Sequence, residues 1–272
     1  VSLTAVPPGP VYPGVPEKLV AALRALAATP QLLIALDFDG TLAPEVDDPA
    51  HARALPESRE AVLRLLALPH TRVALVSGRA IDSLEQVSAL PDTALLVGSH
   101  GVEIRLDPDD DDVALSAGER AKVELLEGVL KGIARGIDNV WIEDKPAGFA
   151  LHTRLATEKH SRVAHVVALS EARAEVAGVH VREGKNVLEF SVRSTTKGEA
   201  VQHLRGYTAA TAVLYAGDDV TDEDAFAVLG TGDVGVKSGE GTTSASHRVR
   251  GPEQIAHVLT ALADFRGGAA PA

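Results

Sequence analysis

The sequence predicts an α/β fold with a buried parallel sheet, interrupted by a smaller α+β unit. Three observations carry this. Residues 32–36 (LLIAL), 72–76 (RVALV) and 212–216 (AVLYA) are short apolar runs, the pattern of strands covered on both faces. Stretches with apolar residues at helical spacing lie between such runs. Residues 116–183 break that rhythm and read helix, strand, strand, helix, strand, as a separate α+β unit does.

Composition sets the limits. With 272 residues the chain can bury one large core or two modest ones. Apolar residues make up 45% and charged residues 24%, the balance of a globular protein in water. Aromatics are only 3%, so Val, Leu and Ala must fill the interior. A formal charge of −12 disfavours nucleic acid and anionic membrane surfaces as partners. It also repels a phosphate ester, unless a site gathers local cations. The absence of cysteine excludes disulfides and thiol chemistry and fits a reducing, cytoplasmic setting. No apolar run reaches membrane-spanning length.

Residues 1–16, rich in Pro and Gly, read as an irregular arm without the basic-then-apolar pattern of a signal peptide. The chain starts at Val and holds no Met, so a trimmed or non-native start is expected. A helix is predicted over 16–28, with Leu19, Val20, Leu23 and Leu26 inward. The strand 32–36 then runs into Asp37-Phe38-Asp39-Gly40-Thr41. Two carboxylates at i and i+2, at the carboxyl end of a buried strand, stand where α/β sheets place ligands. Each makes the other harder to ionise, so a compensating cation is expected; a hard divalent ion with oxygen ligands is the simplest. An Asp-Gly turn alone explains the glycine, not the paired acids.

Residues 44–55 form a loop whose Glu45, Asp47 and Asp48 read as solvated, and 56–68 a helix. The strand 72–76 ends in Ser77-Gly78-Arg79. Two readings fit Ser77: a cap for a helix over 80–87, or a hydroxyl aimed at a phosphoryl oxygen beside an approachable glycine backbone. A strand over 93–97 leads into Gly98-Ser99-His100-Gly101-Val102-Glu103. The acidic run DPDDDD at 107–112 reads as a solvated loop or hinge that opens the second domain.

In that domain 117–133 is an amphipathic helix. Residues 140–143 and 147–154 form an antiparallel pair joined across Asp144-Lys145-Pro146. Phe149 and Leu151 face one way; His152 and Arg154 face the other, beside Gly148 and Ala150, which leaves a polar, uncrowded surface. Either a binding surface or the solvated side of an antiparallel sheet has that character. A helix over 158–172 and a strand over 179–182 complete the unit. Residues 185–192 alternate again, placing Lys185 and Glu189 on one face and Leu188 and Phe190 on the other.

Thr196 with Glu199 is a capping box opening a helix. It puts Lys197 in the first turn, where the helix dipole disfavours a cation by about 0.3–1 kcal/mol; two readings fit, a lysine that answers to a nearby anion or a surface lysine that tolerates so small a penalty. The strand 212–216 ends in GDDVTDED, five carboxylates in the seven residues 218–224. Thr221 reads as a helix cap, with Asp222, Glu223 and Asp224 in the first turn. Asp218 is left over, the natural third carboxylate for a metal. Strands over 233–236 and 246–249 and a helix over 252–265 follow.

Strand ends carrying DFDGT, Ser77, Lys197 and GDDVTDED in that order resemble the motif set of the haloacid-dehalogenase-like phosphatases. The chain resembles in particular the trehalose-6-phosphate phosphatases. The strings are VSGR (76–79), GSHGVE (98–103), KPAGFALHTR (145–154), GKNVLEF (184–190), TKGEA (196–200) and GDDVTDEDAF (217–226). Val192 departs from the pattern, since a proline often stands there.

The resemblance implies a Rossmann-like doubly wound parallel sheet core over 17–106 and 187–272, with an inserted α+β cap domain over 107–186. It implies Asp37 as nucleophile and Asp39 as acid and base. Ser77 and Lys197 would bind the phosphoryl group, and Mg²⁺ would lie at Asp37, the Asp39 carbonyl and Asp218, with Asp222 orienting that shell. It implies sugar contacts from Arg79, His100 and Glu103 of the core and Lys145, His152, Arg154, Lys185 and Glu189 of the cap. Cap and core would close about hinges near Leu106 and Asn186. The expected partner is a small phosphosugar, handled by a monomer without nucleic acid or membrane.

Other sugar phosphates, such as sucrose phosphate or a glycosyl-glycerate phosphate, fit the same cap type. A silent phosphosugar binder would not need both Asp37 and Asp39. A phosphomutase cap does not fit the short 43–71 segment.

Overall fold

The computed structural model describes residues 12–46, 48–106 and 115–268. The chain divides into two compact units, Val1–Asp110 with Thr196–Ala272, and Asp111–Thr195.

The first unit begins with α1 (Glu17–Ala27), β1 (Leu32–Leu36), α2 (Pro56–Leu66), β2 (Thr71–Val76), α3 (Ile81–Ser88), β3 (Leu95–Gly98) and β4 (Glu103–Arg105). The second unit follows with α4 (Ala117–Gly136), β5 (Trp141–Lys145), β6 (Gly148–His152), α5 (Glu158–Glu175), β7 (His180–Gly184) and β8 (Val187–Ser191). The chain returns to the first unit through α6 (Lys197–Thr208), β9 (Ala212–Gly217), α7 (Asp222–Ala227), β10 (Val234–Ser238), β11 (His247–Val249) and α8 (Pro252–Arg266).

Seven strands form one sheet in the order β11-β10-β9-β1-β2-β3-β4, parallel except where β4 runs against β3. The central strand β1 shows why an unbroken apolar run was needed. Leu32, Ile34 and Leu36 pack with Leu19 and Leu23 of α1, Leu65 of α2 and Leu259 of α8 on one face. Leu33 and Ala35 pack with Val201 and Leu204 of α6 and Phe226 of α7 on the other. Successive side chains of a strand point to opposite faces, so both must be apolar when both are covered. Each fully buried leucine contributes about 1.5–3 kcal/mol.

From β1 the chain moves outward to β2, β3 and β4 on one side, and β9, β10 and β11 fill the other. The order reverses between β1 and β9, the place where open α/β sheets form a ligand crevice. Register puts Leu36 beside both Ala216 and Leu75, so β1, β9 and β2 end level.

In the second unit, antiparallel strands run β5-β6-β8-β7, with α4 packed on β5, β6 and α5. Phe149, Leu151, Leu188 and Phe190 are buried on one face, as their alternation predicts. Trp141, Glu143, Lys145, His152 and Glu189 share the other by register.

Several expectations are corrected. Strand β8 pairs along its whole length with β6 and β7, so the first unit resumes at Thr196, not at 187. A strand cannot leave a sheet in which both its edges are hydrogen-bonded. For the same reason Asn186 is no hinge: with φ 61° it forms the tight β7–β8 turn, together with Lys185, which therefore lies outside the strand pattern. The β5–β6 turn falls at Pro146-Ala147, with Asp144 and Lys145, expected in the connection, inside β5. The terminal strand β4 was not foreseen. Asp47, the run at 107–112 and the first eleven residues of the arm lie outside the described residues. The last residues of the arm rest on α8, where Tyr12 donates to Asp264 at 2.9 Å. Among the described residues, no helix is long and apolar enough to cross a membrane.

Candidate active site

Asp37 is the first residue past β1. Its amide continues the ladder onto Ala216 at 2.9 Å, which places its carboxylate level with the end of β9. The capping box of Thr196 and Glu199 forms, and Lys197 opens α6. Its ammonium is 3% exposed and donates to Asp37 Oδ1 at 2.8 Å and to Asp222 Oδ1 at 2.7 Å. The cation disfavoured by the helix dipole is thus held by two carboxylates.

Asp222 has four donors. Lys197 and the Tyr215 hydroxyl (2.6 Å) share Oδ1; the amides of Asp218 (2.9 Å) and Asp219 (2.8 Å) share Oδ2. A carboxylate offers about four lone-pair sites, so Asp222 is spent on shaping the loop. A Cβ on Gly217 would collide with it. Thr221, expected as the helix cap, makes no capping bond because it is already in helical conformation.

Asp218 projects from that loop toward the turn after β1. Thr41 donates to its Oδ1 at 3.3 Å. Gly40, at φ 75°, passes so close that any side chain there would strike the Asp218 carboxylate. Oxygens of Asp37, Asp218 and Asp222 lie within 4.8 Å of one another.

The electrostatics follow from this crowding. Burial raises the Asp37 carboxyl well above the usual range, Lys197 opposes, and Asp222 and Asp218 add to the rise. Burial, with Asp222 and Asp219 nearby, pushes Asp218 up to about 6. Burial alone would lower the Lys197 ammonium, but Asp37 and Asp222 outweigh it and hold it above an ordinary lysine. Tyr215 is raised, first by burial and then by Asp222, so it stays a donor. Three carboxylates against one ammonium leave negative charge in a nearly dry site. A hard divalent cation fits that donor set, with Asp37 and Asp218 as the open carboxylates.

The remaining expected residues separate. Ser77 is buried beyond β2; its hydroxyl accepts the Arg79 amide at 3.2 Å and does not cap α3, whose N-cap position is Ala80. Arg79 grips the Asp39 carboxylate through Nε and Nη2, each at 2.6 Å. His100, in left-handed conformation at φ 56°, lies against Gly78 and donates its amide to the Ser77 carbonyl at 2.9 Å. Glu103 is turned inward, accepting from Ser99 Oγ at 2.5 Å and from the Ile81 amide at 3.3 Å. Both bonds fall on Oε2.

In the second unit, Lys145 and His152 both meet Glu143, each at 2.7 Å. His152 stacks on Trp141, and the Arg154 guanidinium lies 5.3 Å from that ring centroid. Glu189 sits across from Ala150 and Arg182 on the polar face.

Four groups escaped the sequence reading. Tyr215 looked like core, and Glu143 and Trp141 like ordinary strand residues. Lys237 is buried at the end of β10 and donates to the Asp218 carbonyl, with Asp219 O at 3.5 Å. Its neighbour Ser238 donates to Gly40 O at 2.8 Å. A lone lysine in the apolar run VGVKS was the available signal.

The fold is that of the haloacid-dehalogenase-like hydrolases. A structure of such a hydrolase from B. subtilis matches with a TM-score of 0.55 at 17% identity, over 84% of this chain and 98% of that one. A structure of Aspergillus fumigatus trehalose-6-phosphate phosphatase reaches 0.66 at 26% identity, over 94% and 98%. The trehalose-phosphatase family model matches residues 35–253, and the chain belongs to that family.

Among curated relatives, the bifunctional trehalose-6-phosphate synthase/phosphatase of Thermoproteus tenax is 35% identical over 80% of this chain and 30% of its own length. The trehalose-phosphate phosphatase of Mycobacterium ulcerans is 31% identical over 91% of this chain. The chain spans 66% of that relative's length.

Proposed function

We propose that the chain hydrolyses trehalose 6-phosphate to trehalose and inorganic phosphate, with Asp37 as nucleophile. The observation that carries the reading is the joining of Asp37, Lys197, Asp222 and Asp218 where β1 and β9 end side by side. Family membership supports the phosphosugar as substrate.

In the first step an Asp37 oxygen bonds to phosphorus, and the bond from phosphorus to the sugar oxygen breaks. Asp39 gives that oxygen its proton. In the second, Asp39 takes a proton from water as the water oxygen bonds to phosphorus and the aspartyl bond breaks. Lys197 neutralises charge at Asp37 and on the phosphoryl group. Ser77, whose oxygen accepts from a backbone amide, keeps its hydroxyl hydrogen for a phosphoryl oxygen. A divalent cation at Asp37 and Asp218, Mg²⁺ in this reading, supplies the positive charge that lets an anionic carboxylate meet an anionic ester. Lys145, His152, Arg154, Lys185 and Glu189 are the candidates for sugar hydroxyls.

The test is phosphate release from trehalose 6-phosphate, sucrose 6-phosphate and a glycosyl-glycerate phosphate, with and without Mg²⁺. The first should be preferred, Mg²⁺ should be required, and Asp37→Asn should release none while keeping its circular dichroism. Turnover near wild type in Asp37→Asn would remove the nucleophile assignment; a preference for another ester would move the substrate.

A further inference from the structure

Arg79 and Asp39 make a two-pronged ion pair in the first unit outside the buried cluster. Nε donates to Oδ2 and Nη2 to Oδ1, each at 2.6 Å, the two-pronged geometry that fixes the plane of a carboxylate. The guanidinium is itself immobilised. Nη1 donates to Ser83 Oγ at 3.3 Å, and the Phe38 ring centre lies 5.7 Å from its central carbon. Its backbone is tied at both ends: the amide donates to Ser77 Oγ, and the carbonyl accepts the Ser99 amide at 2.7 Å. The Arg79 side chain is 10% exposed and that of Asp39 38%, so the carboxylate is the accessible member.

We infer that Arg79 is a positioning residue that holds Asp39 for proton transfer with the leaving oxygen, and does not bind the phosphoryl group. The inference deepens the hydrolase reading and rests on it. Phe38 is fully buried, which anchors the turn, and Asp39 projects past the end of β1 with its side chain held by the fork. Without the fork it would sample several orientations, and misplacement of a proton donor by about 1 Å costs roughly 10²-fold in rate. The donors that would make Arg79 a phosphate clamp are already committed to Asp39. Lysine at this position would keep the charge and lose the fork.

The experiment compares kcat/KM for trehalose 6-phosphate and 4-nitrophenyl phosphate in wild type, Arg79→Lys, Asp39→Asn and the double variant. Melting temperature and circular dichroism confirm folding. An alkoxide leaving group needs the proton, whereas 4-nitrophenolate departs without one, and kcat/KM reports the first step alone. Arg79→Lys should lose about 10²-fold on the sugar phosphate and at least tenfold less on the aryl ester, as should Asp39→Asn. On the sugar phosphate alone, the double variant should lose no more than Asp39→Asn, because the two residues act through one group. Equal losses on both esters, or multiplying losses in the double variant, would make Arg79 an independent phosphoryl contact and overturn the inference. Near-wild-type activity in Arg79→Lys would do the same. Failure of the hydrolase reading is distinguishable, since the wild type would then release no phosphate from the sugar ester.

Discussion

Replacing Lys197 with methionine tests the electrostatic account of the site most directly. The substitution keeps an unbranched side chain one heavy atom shorter and removes the charge that stands 2.8 Å from Asp37 and 2.7 Å from Asp222. Both carboxylates are buried, and leaving a buried ion without its partner costs about 3–5 kcal/mol. At about 2.1 cal/mol/K per residue, a chain of 272 residues has a melting entropy near 570 cal/mol/K, so the expected fall in Tm is ~5–9 °C at neutral pH.

The pH dependence has a definite sign. Burial already holds the folded Asp37 carboxyl above its ordinary value of 3.8, and loss of the ammonium raises it further. A carboxyl raised in the folded state takes up a proton there before it does in the unfolded chain. The deficit relative to wild type is therefore full above the variant's raised value and shrinks as pH falls toward the wild type's own raised value. Differential scanning calorimetry of metal-free wild type and variant between pH 5 and pH 8 reads both effects. A Tm loss that does not change with pH, or one below about 1 °C, would refute the view that Lys197 balances buried carboxylates.

Other outcomes follow from the same geometry. Mg²⁺ at a hundred times its Kd should stabilise the wild type by about 2.7 kcal/mol, or ~5 °C in Tm. The shift should shrink below pH 6, where Asp218, pushed up to about 6, keeps its proton against the cation; Asp218→Asn should abolish it at pH 7.5. Gly40→Ala forces a side chain into a φ of 75° and against Asp218, which should cost about 1–3 kcal/mol in a melt and remove the Mg²⁺ shift. In the second unit, Arg193 and the Ser116 cap hold Glu119 at about 2, below its ordinary 4.5. Its contribution is present above 4.5 and lost as pH falls through 2, so Glu119→Gln should melt lower at pH 7 and converge with wild type in acid.

The core of this protein was legible because its physics is local. A five-residue run apolar at every position has one economical place, the middle of a covered sheet, and β1, β2 and β9 lie there. The acidic motifs were legible for the opposite reason: Asp37, Asp39 and Asp218 break the apolar pattern at strand ends. Lys197 stood out as a cation at the wrong end of a helix.

Chain order could not say which side chains would spend their bonding capacity on one another. Strand β8 alternated as well for the core as for the second sheet, and only its pairing on both edges assigned it. Glu103 and Asp222 read as site acids; internal donors take one oxygen of the first and saturate the second. Lys237 and Tyr215 sat in apolar strands, and their roles depend on which loop folds over them.

The residues by themselves determined the alternation of strands and helices and the placing of charge at strand ends, since both follow from the few neighbours each position has along the chain. Only the tertiary structure decided that Lys197 answers Asp37 and Asp222 and that Arg79 clamps Asp39. Those pairs join residues 160, 25 and 40 positions apart, and hydrogen bonding depends on separation in space.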